Sequence, residues 1–254
     1  MSDTLVKPAP RFWCVRGSFK LGGFVDIGTQ CALIERPSGT HLFLDSYPLK
    51  GAVRQEIMAR TDNGKTVEAV LNVHPYHTTH CAQMARDFPG AAFFGSARHH
   101  AQVPEVVWEN DPVESNAVAA RFPELAFSLP RGIAYIHEKD HVHAGSLLVF
   151  HRESGTLYVD DTFNVLPIPK VLQKMTGIRR LRLHPTLQTA LTEGPDSGWA
   201  FCDWMEEIAR EWAQTRTLYA AHSGMVRFGQ GEFAETLSEI VKIVRPKLAA
   251  ETER

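Results

Sequence analysis

Two rhythms of apolar residues alternate along the chain. Short, nearly unbroken runs such as "CALI", "HLFL", "VEAVL", "AAFF", "LLVF" and "TLYV" have the length and the β-branched and aromatic content of buried strands. Residues 31–46 read as two strands joined at Pro37-Ser38-Gly39 and running up to Asp45. "KTVEAVLNV" is a further Val-rich strand. Helical spacing follows it: Cys81, Met84, Ala85 and Phe88 fall at i, i+3, i+4 and i+7, with Thr78 or Thr79 as cap and Pro89-Gly90 as stop. "AAFFGS" predicts a short strand. In residues 111–122 Asp111 is placed to cap a helix, with Pro112 in its first turn and Glu114 in the capping-box position. Residues 144–161 predict a hairpin around Glu153-Ser154-Gly155. Phe201, Trp204, Met205, Ile208 and Trp212 then share a helix face, and Trp199 is expected in the same core stripe. "TLYAAHSG" is a last strand, and residues 231–246 close as a helix on Phe233, Leu237, Ile240, Val241 and Val244.

This order of elements fits mixed α/β layers around one core, with residues 1–254 as a single domain. A chain of 254 residues that is 44% hydrophobic and 22% charged needs no disulfide or metal to hold such a core. The net charge of −2 offers no electrostatic grip on nucleic acid or on anionic lipid. Cys14, Cys31, Cys81 and Cys202 lie far apart without a Cys-x-x-Cys pair, which argues against a zinc ribbon; Cys81 and Cys202 fall on expected core faces. "MSDTLVKPAPRFW" has no apolar signal core and no run reaches membrane-spanning length, so a cytoplasmic protein is expected.

Twelve histidines are the compositional oddity, and several follow strands directly. His74, His77 and His80 come after "AVLNV", Asp161 after "TLYV", and His222 after "TLYAA". His141 and His143, in "HVHAGS", stand just before a strand. Ligand sites of α/β sheets gather beyond the carboxyl ends of strands, and imidazoles with a carboxylate suit Zn²⁺ or Fe²⁺. Any one histidine alone is better explained as an ordinary polar residue, so His41, His99, His100, His137 and His151 stay unassigned, while His184 lies in a segment placed to roof a pocket. Arg179, Arg180 and Arg182 can bind an anion but read more simply as a solvated face. Tyr47 and Tyr76 sit in loops beside the stations, as candidate pocket walls.

"HLFLDS", "HPYHTTHC", "HVHAGSLLVF", "LYVDDTF" and "AAHSG" follow one another as do the motifs of the metallo-β-lactamase fold superfamily, which the chain resembles over nearly its whole length. The resemblance implies a four-layer αββα sandwich of two mixed β-sheets flanked by helices. It implies zinc, as one or two ions, with iron or manganese as alternatives. His74, His77, His80, His141, His143, Asp161 and His222 are the metal-site candidates, and His80, Asp161 and His222 the catalytic ones. Three departures stand out. Thr79 replaces the family aspartate, and Pro75 occupies the first histidine position with His74 one residue out of register. In the second loop Val142 takes the histidine position, so His143 or His141 must serve. Losing a hard anionic donor at Thr79 points to a mononuclear or weakly dinuclear centre. The activity implied is metal-dependent hydrolysis of an ester, thioester or lactone through a metal-bound hydroxide. Alternatives are a mononuclear iron oxygenase like the persulfide dioxygenases, or a non-catalytic member.

Overall fold

The computed structural model describes residues 3–18, 20–21, 25–26, 28–166, 180–221 and 224–252. The chain forms two units, Met1–Glu124 and Leu125–Arg254, each with its own sheet and hydrophobic core. It is an α/β protein with two mixed sheets flanked by helices.

The first unit contains β1 (Thr4–Ala9), β2 (Phe12–Gly17), the short ribbon of β3 (Lys20–Leu21) and β4 (Val25–Asp26), β5 (Thr29–Glu35), β6 (His41–Leu44) and α1 (Gly51–Arg60). It continues with β7 (Val67–Leu71), α2 (Cys81–Asp87), β8 (Ala92–Phe94), α3 (Ala97–Gln102) and α4 (Asn116–Arg121). The sheet runs β1-β2-β5-β6-β7-β8. Its first half is antiparallel, and β6, β7 and β8 are parallel. Trp13, Val15, Cys31, Leu33, Phe43 and Val70 on one sheet face pack with Val53, Ile57, Cys81 and Met84 from the helices. Burial on both faces accounts for the unbroken apolar runs of β5, β6 and β7.

Parallel register brings the ends of β6, β7 and β8 to one edge, with Leu44 opposite Leu71 and Leu71 opposite Phe94. Polar groups stitch that edge. Asp45 N–H donates to Leu71 O (2.8 Å) and Asn72 N–H to Phe94 O (2.9 Å). The buried Asp45 carboxylate accepts Val73 N–H at 2.8 Å, and Ser46 Oγ donates to Asn72 Oδ1 at 2.7 Å. Asp45 holds φ +60°, a left-handed conformation that Asp tolerates better than most residues.

Two helix starts differ from the sequence expectation. His80, not Thr78 or Thr79, takes the N-cap position of α2, because Thr78 closes the preceding turn by accepting Cys81 N–H. Helix α4 starts at Asn116 rather than after Asp111, with Ser115 Oγ accepting Val118 N–H at 3.3 Å. Pro112 O is already committed to Ser115 N–H and Val113 N–H to Gly95 O, so residues 111–115 form a turn.

The second unit contains β9 (Leu125–Ser128), β10 (Leu148–His151), β11 (Thr156–Val159), β12 (Phe163–Val165), β13 (Leu181–Leu183), α5 (Ser197–Glu211), β14 (Thr217–Ala220), β15 (Gly224–Arg227) and α6 (Glu232–Thr252). Its sheet runs β15-β14-β11-β10-β9, with β11 and β14 parallel and Val159 opposite Ala220. Strands β12 and β13 pair separately, Phe163 opposite Leu183. Phe150, Leu157, Val159 and Leu218 meet Phe201, Trp204, Met205, Phe233 and Leu237 in the core. Helices α5 and α6 approach closely at Gly198, where a Cβ would stand 2.7 Å from Leu248 O. Trp199 departs from the expected core stripe. It is 44% exposed, its ring covered by the Arg245 guanidinium at 5.2 Å. Helix α6 passes through Pro246 instead of stopping there, because buried Leu248 extends its apolar face. Among the described residues, no helix is long and apolar enough to cross a membrane.

Thr162, fully buried in the turn between β11 and β12, ties three segments together. Its hydroxyl donates to Ala144 O (3.0 Å) and receives Ser146 N–H (3.1 Å), with Ser146 Oγ at 2.8 Å. Its carbonyl accepts His184 N–H at 3.3 Å.

Two predictions follow from these buried groups. Thr162→Val keeps the shape but strands the Ser146 amide and the Ala144 carbonyl, so urea unfolding should show a loss of about 1–3 kcal/mol, with Thr162→Ser close to the parent. His99 is fully buried at the third position of α3, its Nδ1 accepting Ser96 N–H at 3.1 Å in a capping box. Burial first, and then His74, His100 and Arg98, push its pKa down to about 3. The unfolded ring takes a proton near pH 6.5 while the folded ring does not. The His99 contribution is therefore complete above pH ~6.5 and lost below it, by up to about 1.4 kcal/mol per pH unit. His99→Gln, which restores the common capping-box side chain, should flatten the acid limb of stability against pH by about one proton.

Candidate metal centre

The histidine spacing after β7 resolves into a turn. His77 N–H donates to His74 O at 3.0 Å, with Pro75 in the second position, where its fixed φ favours a β-turn. Tyr76 N–H donates to Nδ1 of the buried His74 ring at 3.2 Å. The rings of His74 and His77 lie 4.3 Å apart. His77 also comes within 4.8 Å of an Asp45 carboxylate oxygen. In this unit, then, one imidazole pair stands at the stitched strand edge.

The second unit gathers three ligand-type side chains around Thr162. His143 precedes Ala144, Asp161 precedes Thr162 itself, and His184 donates its amide to the Thr162 carbonyl. One potential ligand atom from each of His143, Asp161 and His184 lies within 4.8 Å of the other two. His143 Nδ1 donates to Asp161 Oδ2 at 2.7 Å, and the His143 and His184 ring centroids are 4.9 Å apart. The Asp161 bond holds the His143 pKa above its ordinary value against the opposing effect of burial. Asp161 is buried while both rings are half-buried, so the cluster opens to solvent on its imidazole side. Donors on a tetrahedral ion at about 2.1 Å stand roughly 3.4 Å apart, so small side-chain shifts would let this set hold Zn²⁺ or Fe²⁺.

The remaining candidates occupy different surroundings. Val142, at the family histidine position, is a core residue; His141 beside it is exposed and His143 bonds Asp161. His80 at the start of α2 is edge-on to Tyr47, with ring centroids 6.0 Å apart. Burial, and then Lys50, push its pKa down, which keeps the ring neutral near pH 7. Thr79 is exposed. Among the described residues, neither His80 nor His141 joins a three-donor set. His222 lies outside the described residues, as does Arg179.

Sequence reasoning placed His184 in a segment able to roof a pocket, not among the metal ligands. A signal was present: "LRLHPTL" repeats the strand–His–Pro arrangement of "LNVHPYH". The turns are alike too, with Leu187 N–H on His184 O at 3.1 Å and Thr186 N–H on His184 Nδ1 at 3.3 Å. Cys81 and Cys202 are buried as expected, and burial pushes their thiols up to about 12 and about 11.

No protein-family model matches the chain, nor does any curated protein. Solved structures do. A metallo-β-lactamase from Erythrobacter litoralis with β-mercaptoethanol in its active site matches at 14% identity and TM-score 0.62, over 95% of this chain and 96% of that one. A metallo-β-lactamase from Hirschia baltica matches at 13% identity and TM-score 0.61, over 95% and 98%. The mono-zinc form of FIM-1 from Pseudomonas aeruginosa matches at 11% identity and TM-score 0.59, over 96% and 97%. The chain has the metallo-β-lactamase fold.

Proposed function

We propose that this chain is a metal-dependent hydrolase of ester, thioester or lactone-type small molecules, with residues 1–254 acting as one domain. The observation that carries the reading is the His143–Asp161 pair at the end of β11, hydrogen-bonded at 2.7 Å. It lies on a fold shared with metallo-β-lactamases, one of them in a mono-zinc form. Zinc is the proposed ion, bound once firmly or twice with the second weakly; iron and manganese suit the same donors. When bound, such an ion lowers the pKa of water to about 7 and polarises a carbonyl oxygen.

The residues of the chain set what that chemistry can reach. Asp161 and His143 supply an anionic and a neutral donor. By their order along the chain His74, His77, His80 and His222 remain candidates for the same centre, with His80, Asp161 and His222 proposed as catalytic. His77 is favoured over His74. The Tyr76 N–H uses the Nδ1 lone pair of His74 and puts the proton of its neutral ring on Nε2. Thr79 stands where the resemblance calls for a carboxylate able to orient water and protonate a leaving group. A threonine hydroxyl does neither well, so amide cleavage is disfavoured and esters, thioesters and lactones, with better leaving groups, are preferred. Neutral His80 is a candidate for accepting a proton from water.

A second reading, mononuclear iron oxygenase, is favoured by one observation: the second unit combines two imidazoles with one carboxylate, a donor set that open-sited iron uses.

Purified protein loaded separately with Zn²⁺, Mn²⁺ and Fe²⁺ should be assayed on ester, thioester and lactone panels. The hydrolase reading expects turnover that chelation abolishes and metal restores, and that Asp161→Asn lowers roughly 100-fold or more in kcat/KM. Oxygen consumption by the iron form without hydrolysis would transfer the assignment to the oxygenase. Absence of turnover with every metal would leave a non-catalytic protein and reject the hydrolase.

A further inference from the structure

Resting on the metal-centre reading above, we propose that His184 is a metal ligand which the family pattern does not contain, and that Thr186 positions it. A cation held by His143 and Asp161 needs a third protein donor to be bound firmly. Position 184 supplies one. A potential ligand atom of His184 lies within 4.8 Å of those of both His143 and Asp161. All three residues are fixed through Thr162, His184 by its amide on the Thr162 carbonyl.

The two strand–His–Pro turns differ in one chemical respect that bears on ligation. Beside Nδ1 of His74 the turn offers the Tyr76 N–H, a donor. Beside Nδ1 of His184 it offers both the Thr186 N–H at 3.3 Å and the Thr186 hydroxyl at 2.8 Å. A hydroxyl oxygen accepts as well as donates. His184 can therefore carry its proton on Nδ1, donate it to Thr186 Oγ1, and leave Nε2 with the lone pair that a cation requires. This tautomer uses the shorter contact, at 2.8 Å, and gives up the longer Thr186 N–H bond to Nδ1 at 3.3 Å. The His74 turn has Tyr76, not a threonine, at the position corresponding to Thr186. Hydrogen-bonded orientation of a ligating imidazole is what makes its basicity and direction reproducible. His184 thus completes three donors within Leu125–Arg254.

Zinc affinity of the metal-free, full-length protein, measured by competition with a chromophoric chelator, tests the proposal without reference to turnover. His184→Gln should weaken the tightest site about 100-fold, and Thr186→Val about 10-fold, while Thr186→Ser stays near the parent. A merely structural role for Thr186 would lower stability without separating Ser from Val in affinity. In the unmodified protein, bound zinc should protect His184 from diethylpyrocarbonate, read by mass spectrometry; this decides the matter if His184→Gln fails to fold. Parental affinity in His184→Gln, or equal His184 modification with and without zinc, overturns the proposal while leaving the hydrolase reading in place. No zinc binding by the parent protein overturns the proposal and removes zinc from the hydrolase reading.

Discussion

The Thr162 hydroxyl is the constraint on which the candidate centre depends. A single buried oxygen donates to Ala144 O and receives Ser146 N–H, and the carbonyl of the same residue takes His184 N–H. Three segments far apart in sequence are thereby fixed at the end of one strand. Each brings a metal-capable side chain within one residue of the bonded group, or at that group itself: His143, Asp161 and His184. Desolvation makes this arrangement exacting, since a buried polar group left unmatched costs about 1–3 kcal/mol. Every partner must keep its place for the others to be satisfied. Side chains that would otherwise hold charge or polar atoms in an unfavourable cluster are supported by bonds that the backbone makes around Thr162.

The first unit solves a similar problem with different groups. Three parallel strands end side by side; the amides beyond them are taken up by the Asp45 carboxylate and neighbouring carbonyls, while the Asn72 side-chain Nδ2 donates to Phe94 O. The chain then turns at Pro75, which brings His74 and His77 together. Both units place imidazoles where strand hydrogen bonding stops, the position at which α/β sheets present ligand sites. A turn of the form His-Pro-x-x does the work twice. Its consequences diverge through the residue two positions on: both turns present a backbone amide to Nδ1, and Thr186 adds a hydroxyl.

Much of this was legible in the sequence because apolar runs and turn residues act locally. The strands of residues 31–46, 65–73 and 144–161, the hairpin turns and the stripe on Phe201, Trp204 and Ile208 all follow from spacing alone. Fold class came from the order of motifs. The misreadings arose where local preference met a tertiary demand. Asp111 has the chemistry of a cap, but Gly95 O claims the Val113 amide and moves the start to Ser115. Trp199 lies near a core stripe, yet packs under Arg245 at the surface. His184 was read only as part of a pocket roof because β13 is three residues long, with exposed Arg182 in its middle, too short to register as a strand. Proximity of His143 to Asp161 depends on a hub hydroxyl whose partners are 16–18 residues away, which no periodicity reveals.

The most direct measurement is an anomalous difference map at the zinc absorption edge from a crystal of the zinc-loaded protein. The account predicts a peak at about 2.0–2.2 Å from donor atoms of Asp161 and His143. A map with strong zinc peaks elsewhere and none within bonding distance of Asp161 would contradict it.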